Sequence, residues 1–211
     1  MKREVFMEKK IDYTKDYKEL YLPKTQPVII DVCTMPFIMI DGKEDPNKEE
    51  FQKVVEALYG FSYTIKMSYK TKDVPPGYYE YKVFPLEGVW DLGDTKVFDK
   101  DNFVYTMMIR QPDFVTHELF EKTREILDKK KPNPYIGKAV FGTVTEGLCC
   151  QMMHIGSYGD EPASFERMTQ FCISGGYRRA SMTHREIYLS DPRRTDISKL
   201  KTVLTFKVEK V

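Results

Sequence analysis

The sequence predicts an α+β fold built from two β-α-β-β repeats that are joined by a helical linker and form an antiparallel sheet. Three observations predict it. A Gly turn, an acid-Pro pair and an amphipathic helix follow one another at Gly42, Asp45-Pro46 and Phe51, and again at Gly156, Glu161-Pro162 and Phe165. Each of these helices is preceded by one strand-like stretch and followed by two. Apolar residues alternate with polar ones in those stretches, as in strands of an antiparallel sheet; parallel strands, buried on both faces, read as continuous apolar runs.

Residues 1–27 are charged and tyrosine-rich and end in Leu22-Pro23-Lys24-Thr25-Gln26-Pro27, the composition of a leading arm with one helical turn. Residues 28–32 and 37–40 are a strand broken near Met35-Pro36, because proline donates no ladder hydrogen bond. Asp41-Gly42-Lys43-Glu44-Asp45-Pro46 is a turn, with Asp45 as N-cap and Pro46 at the first helical position. Phe51, Val54, Val55, Leu58, Ser62 and Ile65 then recur at helical spacing. Tyr59, Tyr63 and Lys66 form a second stripe beside them, where packing at the stripe edge competes with a ligand-facing role for the tyrosines. Pro75-Pro76-Gly77 turns the chain into a strand at 78–86, and Glu87-Gly88-Val89-Trp90-Asp91 carries the single tryptophan. A further strand at 103–109 is closed by Gln111-Pro112.

Thr116 caps a helix that runs to about Lys130, and its terminal lysines complement the helix dipole without any nucleic acid. Lys131-Pro132-Asn133-Pro134 is the clearest break in the chain. The second half then gives a strand at 148–155 and a helix with Phe165, Met168, Thr169, Phe171 and Cys172 on its buried side, stopped by Gly175-Gly176. Two strands close it, one around 183–189 and one at 202–208. Residues 1–211 thus form one domain: an arm (1–27), a first half (28–112), a helical linker (113–135) and a second half (136–211).

Composition narrows the function. Lys plus Arg number 33 against 32 Asp plus Glu, so no net field draws the chain to nucleic acid or an anionic membrane. The four cysteines, Cys33, Cys149, Cys150 and Cys172, show no metal-ligand spacing and are expected to be reduced and mostly buried. No metal or cofactor is expected. The N-terminus lacks a hydrophobic targeting segment and no apolar run is long enough to cross a bilayer, which fits a cytoplasmic protein. The informative excess is 14 Tyr, 13 Phe and 11 Met, a composition that can line an adaptable pocket.

The stretch Thr183-His184-Arg185-Glu186-Ile187-Tyr188-Leu189-Ser190-Asp191-Pro192-Arg193-Arg194 is a strand running into a proline-stopped turn. Period-two geometry sets Glu186 and Tyr188 on one face, with Ile187 and Leu189 on the other. A carboxylate beside a phenol suits a ligand floor; the alternative is a solvated glutamate on the open side of an antiparallel strand.

These residues belong to a larger pattern. Asp16-Tyr17-Lys18-Glu19-Leu20-Tyr21-Leu22-Pro23-Lys24, Phe37-Ile38-Met39-Ile40-Asp41-Gly42-Lys43, Glu56-Ala57-Leu58-Tyr59 and Pro85-Leu86-Glu87-Gly88-Val89-Trp90 are followed by Met108-Ile109-Arg110-Gln111-Pro112-Asp113-Phe114-Val115 and His154-Ile155-Gly156-Ser157-Tyr158. The most specific block is Glu186-Ile187-Tyr188-Leu189-Ser190-Asp191-Pro192-Arg193-Arg194 with Leu200-Lys201-Thr202 after it. In this order the blocks resemble the GyrI-like small-molecule-binding proteins along nearly the whole chain. The resemblance implies a pseudo-twofold between the halves and one central pocket. Relatives serve as drug-sensing domains of multidrug-responsive regulators, and stand-alone members are similar to enzymes that hydrolyse the strained cyclopropane of alkylating genotoxins.

Carried onto this sequence, the family's pocket acid falls on Glu186 with Tyr188 beside it, the motif aromatic on Trp90, and a position often held by tryptophan on Tyr105. Asp91, Arg110 and Arg185 depart from the pattern: Asp91 is expected to narrow the aromatic wall and Arg185 to alter the field near Glu186. The implied ligand is an aromatic small molecule, bound without direct involvement of nucleic acid or membrane. Its candidate contacts are Trp90, Tyr105, Tyr59, Tyr63, Tyr158, Met108 and His154, with His154 weighed against a plain core histidine. The expected chemistry has Glu186 deprotonating a water aimed at the strained carbon, while Tyr188 or Tyr158 donates to the oxygen that gains charge. The alternative is a non-catalytic sensor or scavenger for cationic aromatic compounds.

Overall fold

The computed structural model describes residues 10–43, 48–91 and 104–211. The arm forms two single-turn helices, α1 (Tyr13–Asp16) and α2 (Lys18–Tyr21); the Asp12 side chain caps α1 by accepting from the Thr14 amide. The first half comprises β1 (Val28–Val32), β2 (Met35–Lys43), α3 (Glu49–Lys66), β3 (Leu86–Asp91) and β4 (Val104–Arg110). Helix α4 (His117–Lys130) links it to β5 (Val140–Val144), β6 (Gly147–Ile155), α5 (Glu161–Ser174), β7 (Tyr177–Arg179), β8 (His184–Tyr188) and β9 (Lys201–Lys210).

The strands pair in the order β1-β6-β9-β8-β3-β4-β2-β5, with β7 added beside the end of β9, and every pairing is antiparallel. Each half therefore lays its strands down in the same relative order, β2-β4-β3 in the first and β6-β9-β8 in the second. The halves meet at the β3–β8 ladder, whose middle pair is Gly88 and Glu186. A pseudo-twofold through that pair exchanges Glu87 with Arg185 and Trp90 with Tyr188.

The outer ladders tie the halves together a second time. Val32 faces Gly147 and Met35 faces Val144, the register of one antiparallel ladder interrupted at Cys33-Thr34 and Thr145-Glu146. The interruption is bridged by a 2.6 Å hydrogen bond between the hydroxyls of Thr34 and Thr145.

Helices α3 and α5 cover the same face of the sheet. Val54, Leu58 and Ile65 of α3 belong to one core with Ile38, Ile40, Met107 and Ile109, while Met168 and Cys172 of α5 join Cys150, Met152, Leu204 and Phe206. The arm lies on the other face, where Gln151 Nε2 donates to the carbonyl of Glu19 at 2.9 Å. There Val32, Met35, Phe37, Met108 and Cys149 form a third cluster.

Several elements differ from their sequence expectation. The break between β1 and β2 falls at Cys33-Thr34, not Met35-Pro36, and Pro36 stays in the ladder opposite Thr143. Its missing N–H does not end the strand, because its carbonyl accepts from the Gln111 amide at 2.9 Å. Asp41-Gly42-Lys43 continues β2 instead of turning; Gly42 faces Tyr105, whose phenol ring covers the space a Cβ would need. Asp45 and Pro46 lie outside the described residues, and α3 is entered through an extended Lys48.

No strand forms at 78–85. That segment makes a single bridge from Tyr81 to Ile11 and packs through rings, with Tyr78, Tyr79 and Tyr81 all against Phe114, so the strand begins at Leu86. β5 and β7 are additions, short strands whose place comes from their partners β2 and β9. Among the described residues no helix is long and apolar enough to cross a membrane.

Candidate ligand-binding and catalytic site

The site lies on the β3–β8 floor between α3 and α5. β8 turns Glu186 and Tyr188 to the helix-covered face, and Arg185 and Ile187 to the other. Glu186 is only 7% exposed, so it is not the solvated strand glutamate of the alternative reading. Three groups surround its carboxyl. His184 Nε2 lies 3.0 Å from Glu186 Oε1. Glu161, in the first turn of α5 and 6% exposed, shares a hydrogen bond with Glu186. Tyr188 donates to Glu186 and accepts the Trp90 indole N–H at 2.8 Å.

Two carboxyls buried against each other do not both ionise near neutral pH. Burial first, and the facing Glu186 second, push Glu161 up to about 9, so Glu161 is the member that keeps its proton. Burial and then the Glu186 charge raise Tyr188 too, and Tyr158 up to about 12, which keeps both as phenols able to donate. Glu161 Oε1 is buried with no hydrogen-bond partner among the described residues.

The facing corner is aromatic. Phe51, in the first turn of α3, lies 6.2 Å from Trp90 with rings 26° apart and 5.3 Å from Tyr105 edge-on. Trp90 and Tyr105 are 5.4 Å apart. Gly88 leaves room for the Trp90–Tyr188 bond, since a Cβ there would stand 2.8 Å from Trp90 Nε1 and 3.2 Å from the Tyr188 hydroxyl.

The other candidates are spread around this floor. Tyr158 is half-exposed and meets Tyr188 edge-on at 6.1 Å. Tyr59 reaches the backbone of Leu86, which pairs with Tyr188, while the Tyr63 ring lies 6.1 Å from that of Tyr59, tilted by 32°, and Tyr63 is 52% exposed. Both nitrogens of His154 are engaged at 2.9 Å: Nε2 donates to the Ser157 carbonyl, which can only accept, so Nδ1 accepts from the Ser164 hydroxyl. Met108 is on the far face of β4 in the cluster with Phe37 and Cys149, because its neighbour Met107 takes the helix-facing position.

The departures at Arg185 and Asp91 act differently from expectation. Arg185, 1% exposed, points away from Glu186 and is held by Glu87 at 2.7 Å and Glu146 at 2.6 Å, so its charge is neutralised on the opposite face. Tyr21 of the arm donates to the same Glu87 at 3.2 Å. Asp91, one residue past Trp90, accepts from the Thr183 hydroxyl at 2.9 Å at an exposed position, not in the aromatic wall.

Sequence reasoning used Glu161 only as half of an acid-Pro helix start. A signal for more was present: Glu161, Ser164, Met168 and Cys172 share one helical stripe, and all four are buried. Among the described residues no group of three or more His, Cys, Asp or Glu side chains is arranged to hold a metal ion.

The GyrI-like small molecule binding domain matches residues 25–209 of this sequence. The chain belongs to the GyrI-like family. A crystal structure of a hydrolase from Listeria innocua is similar to it at 42% identity and a TM-score of 0.90, covering 95% of this chain and 100% of that one. An uncharacterized conserved protein from Listeria innocua is similar at 42% identity and a TM-score of 0.89 over the same shares of the two chains. The C-terminal domain of EcmrR, at 14% identity and a TM-score of 0.53 over 88% of this chain and 98% of that domain, shares the fold. No curated protein matches the sequence.

Proposed function

We propose that this GyrI-like protein hydrolyses strained electrophiles carried on planar aromatic molecules, of which cyclopropane-bearing alkylating genotoxins are the class, and thereby detoxifies them. The observation that carries the reading is the Glu161–Glu186 pair, two buried carboxyls in different protonation states facing an aromatic corner. The hydrolase name of similar Listeria innocua proteins supports it.

The planar body of the substrate stacks on Trp90, Phe51 and Tyr105, which bind by area and not by fine hydrogen-bond matching. Glu186 takes a proton from water as the water oxygen bonds to the strained carbon. The ring carbon–carbon bond breaks, and its electron pair passes through the conjugated system to an oxygen of the substrate. Glu161 gives its proton to that oxygen, with Tyr188 as a further donor. Glu186 then returns a proton to Glu161 across their hydrogen bond, so the pair resets and the net change is one water added.

The test is mass spectrometry of a cyclopropane-bearing alkylating compound incubated with wild type, Glu186→Gln and Glu161→Gln. A product one water heavier from wild type and not from Glu186→Gln is the expected result. Equal water addition by wild type and Glu186→Gln removes the base role and this mechanism with it.

A non-catalytic binding module for cationic aromatic compounds is favoured by a different observation, the buried Oε1 of Glu161 that lacks a partner and offers a ligand an acceptor. Binding of such a cation by wild type, without water addition to any strained probe, is the outcome that selects this reading.

A further inference from the structure

We propose that His184 is the positioning residue of the carboxyl pair, donating its Nε2–H to Glu186 Oε1 so that Oε2 is left to work on water. The inference rests on the reading of Glu186 as the base, and it deepens that reading by naming what aims it.

The geometry is specific. Glu186 and His184 project from the same face of β8, two residues apart, which brings Nε2 to 3.0 Å from Oε1. A carboxylate oxygen only accepts, so in this bond the imidazole Nε2–H is the donor. The imidazole is itself clamped. Phe165 of α5 meets it edge-on at 4.8 Å, and the Arg179 guanidinium lies over the Phe165 ring at 5.3 Å. Arg179 is fixed in turn by donating to the carbonyls of Ser181 and Met182, at 2.8 and 2.7 Å, in the segment that leads into β8. On the next strand, Trp90 is paired with His184 in register.

The clamp has a chemical consequence. Glu186 faces three hydrogen-bonding groups, His184, Glu161 and Tyr188, and an unrestrained carboxylate would rotate to satisfy Glu161 and Tyr188 with either oxygen. Fixing Oε1 removes that freedom and holds the carboxyl in one orientation. His184 has 22% of its side chain exposed against 10% for Glu186, so it is the more accessible member of the bonded pair. A misplaced base of this kind lowers turnover on the order of 10²-fold while leaving ring stacking intact.

Two measurements on the full chain test the proposal. The first is NMR of the imidazole N–H protons, with the three histidines assigned through single His→Gln variants. A protected, downfield His184 Nε2–H in wild type that vanishes in Glu186→Leu is expected. Its absence from wild type, or its survival in Glu186→Leu, overturns the proposal. The second is steady-state kinetics with a cyclopropane-bearing alkylating compound. His184→Ala is expected to lose kcat on the order of 10²-fold with KM nearly unchanged, and His184→Gln, whose amide N–H can reach Oε1, to recover most of it. A wild-type kcat in His184→Ala, or no recovery in His184→Gln, overturns it. Failure of wild type to add water would remove the proposed reaction, whereas the NMR measurement decides the His184–Glu186 bond on its own.

Discussion

The first half of the molecule supplies rings to the central floor, and the second half, built on the same strand and helix plan, supplies carboxyls. The correspondence is close. Phe51, Val54, Leu58 and Ser62 of α3 have the same spacing as the buried Glu161, Ser164, Met168 and Cys172 of α5, so Phe51 stands where Glu161 stands in the other half. The pseudo-twofold exchanges Gly88 with Glu186. Further out, Gly42 lies under the ring of Tyr105 in one half, while His154 faces Thr202 in the other. At three equivalent places the repeat is broken, and each break moves aromatic area to one side or acid to the other. A repeated fold can thus build one asymmetric site: the backbone supplies the symmetry, and a few side chains set rings on one side and carboxyls on the other.

The seam between the halves is also made of symmetry mates. Glu87 pairs with Arg185, and Trp90 bonds to Tyr188. Arg185→Ala attacks this seam most directly, leaving Glu87 (0% exposed) as an unpaired buried charge. A loss of about 3–5 kcal/mol in denaturant unfolding is expected. The double variant Glu87→Leu with Arg185→Leu is expected to recover part of that loss, because Glu87 is no longer stranded while Glu146 still is.

Removing the acid of the second half comes next. Glu186→Gln is expected to lower kcat by about 10²–10⁴-fold while the affinity for an aromatic ligand stays close to wild type, since the rings belong to the first half. A parallel fall in affinity would mean that the two halves do not divide the work as described.

Glu161→Gln sharpens the comparison through pH. An unfolded Glu161 releases its proton near 4.5, whereas the folded group holds it up to about 9. Between these values the folded state binds more protons than the unfolded state, so stability falls as pH rises through that window. The variant is therefore expected to match wild type in Tm at about pH 4 and to gain on it steadily towards about pH 9. Each kcal/mol gained corresponds to about 2–4 °C for a chain of this size. A flat difference across that range would mean that Glu161 is not the proton carrier. The smallest effect is expected from Trp90→Phe, which keeps a ring in the aromatic corner and loses the indole bond to Tyr188, about 0.5–1.5 kcal/mol in unfolding free energy.

Much of this molecule was legible in its residues. Alternation placed Glu186 and Tyr188 on one face of a strand, helical spacing located α3, α4 and α5, and Thr116 marked the start of α4, where it accepts from the Leu119 amide. These features are local. Strand period, helix stripe and cap are set by residues within a few positions of one another, and a chain carries that information before it folds.

Glu161 and Glu186 show the limit. Each can be placed on its own element from the sequence, one in a helix first turn and one in a strand, yet 24 residues lie between them. Nothing local says that α5 lays its first turn against the middle of β8. The raised proton affinity of Glu161 needs that contact and the burial that comes with it. The same holds for Arg185, whose neutralising partners Glu87 and Glu146 come from β3 and from the break between β5 and β6. The sequence by itself determined the three long helices, most of the strands with their faces, and the family. Which carboxyl keeps a proton, and which charge is silenced, was decided only by tertiary structure, because desolvation and Coulomb energies depend on distances through space and not along the chain.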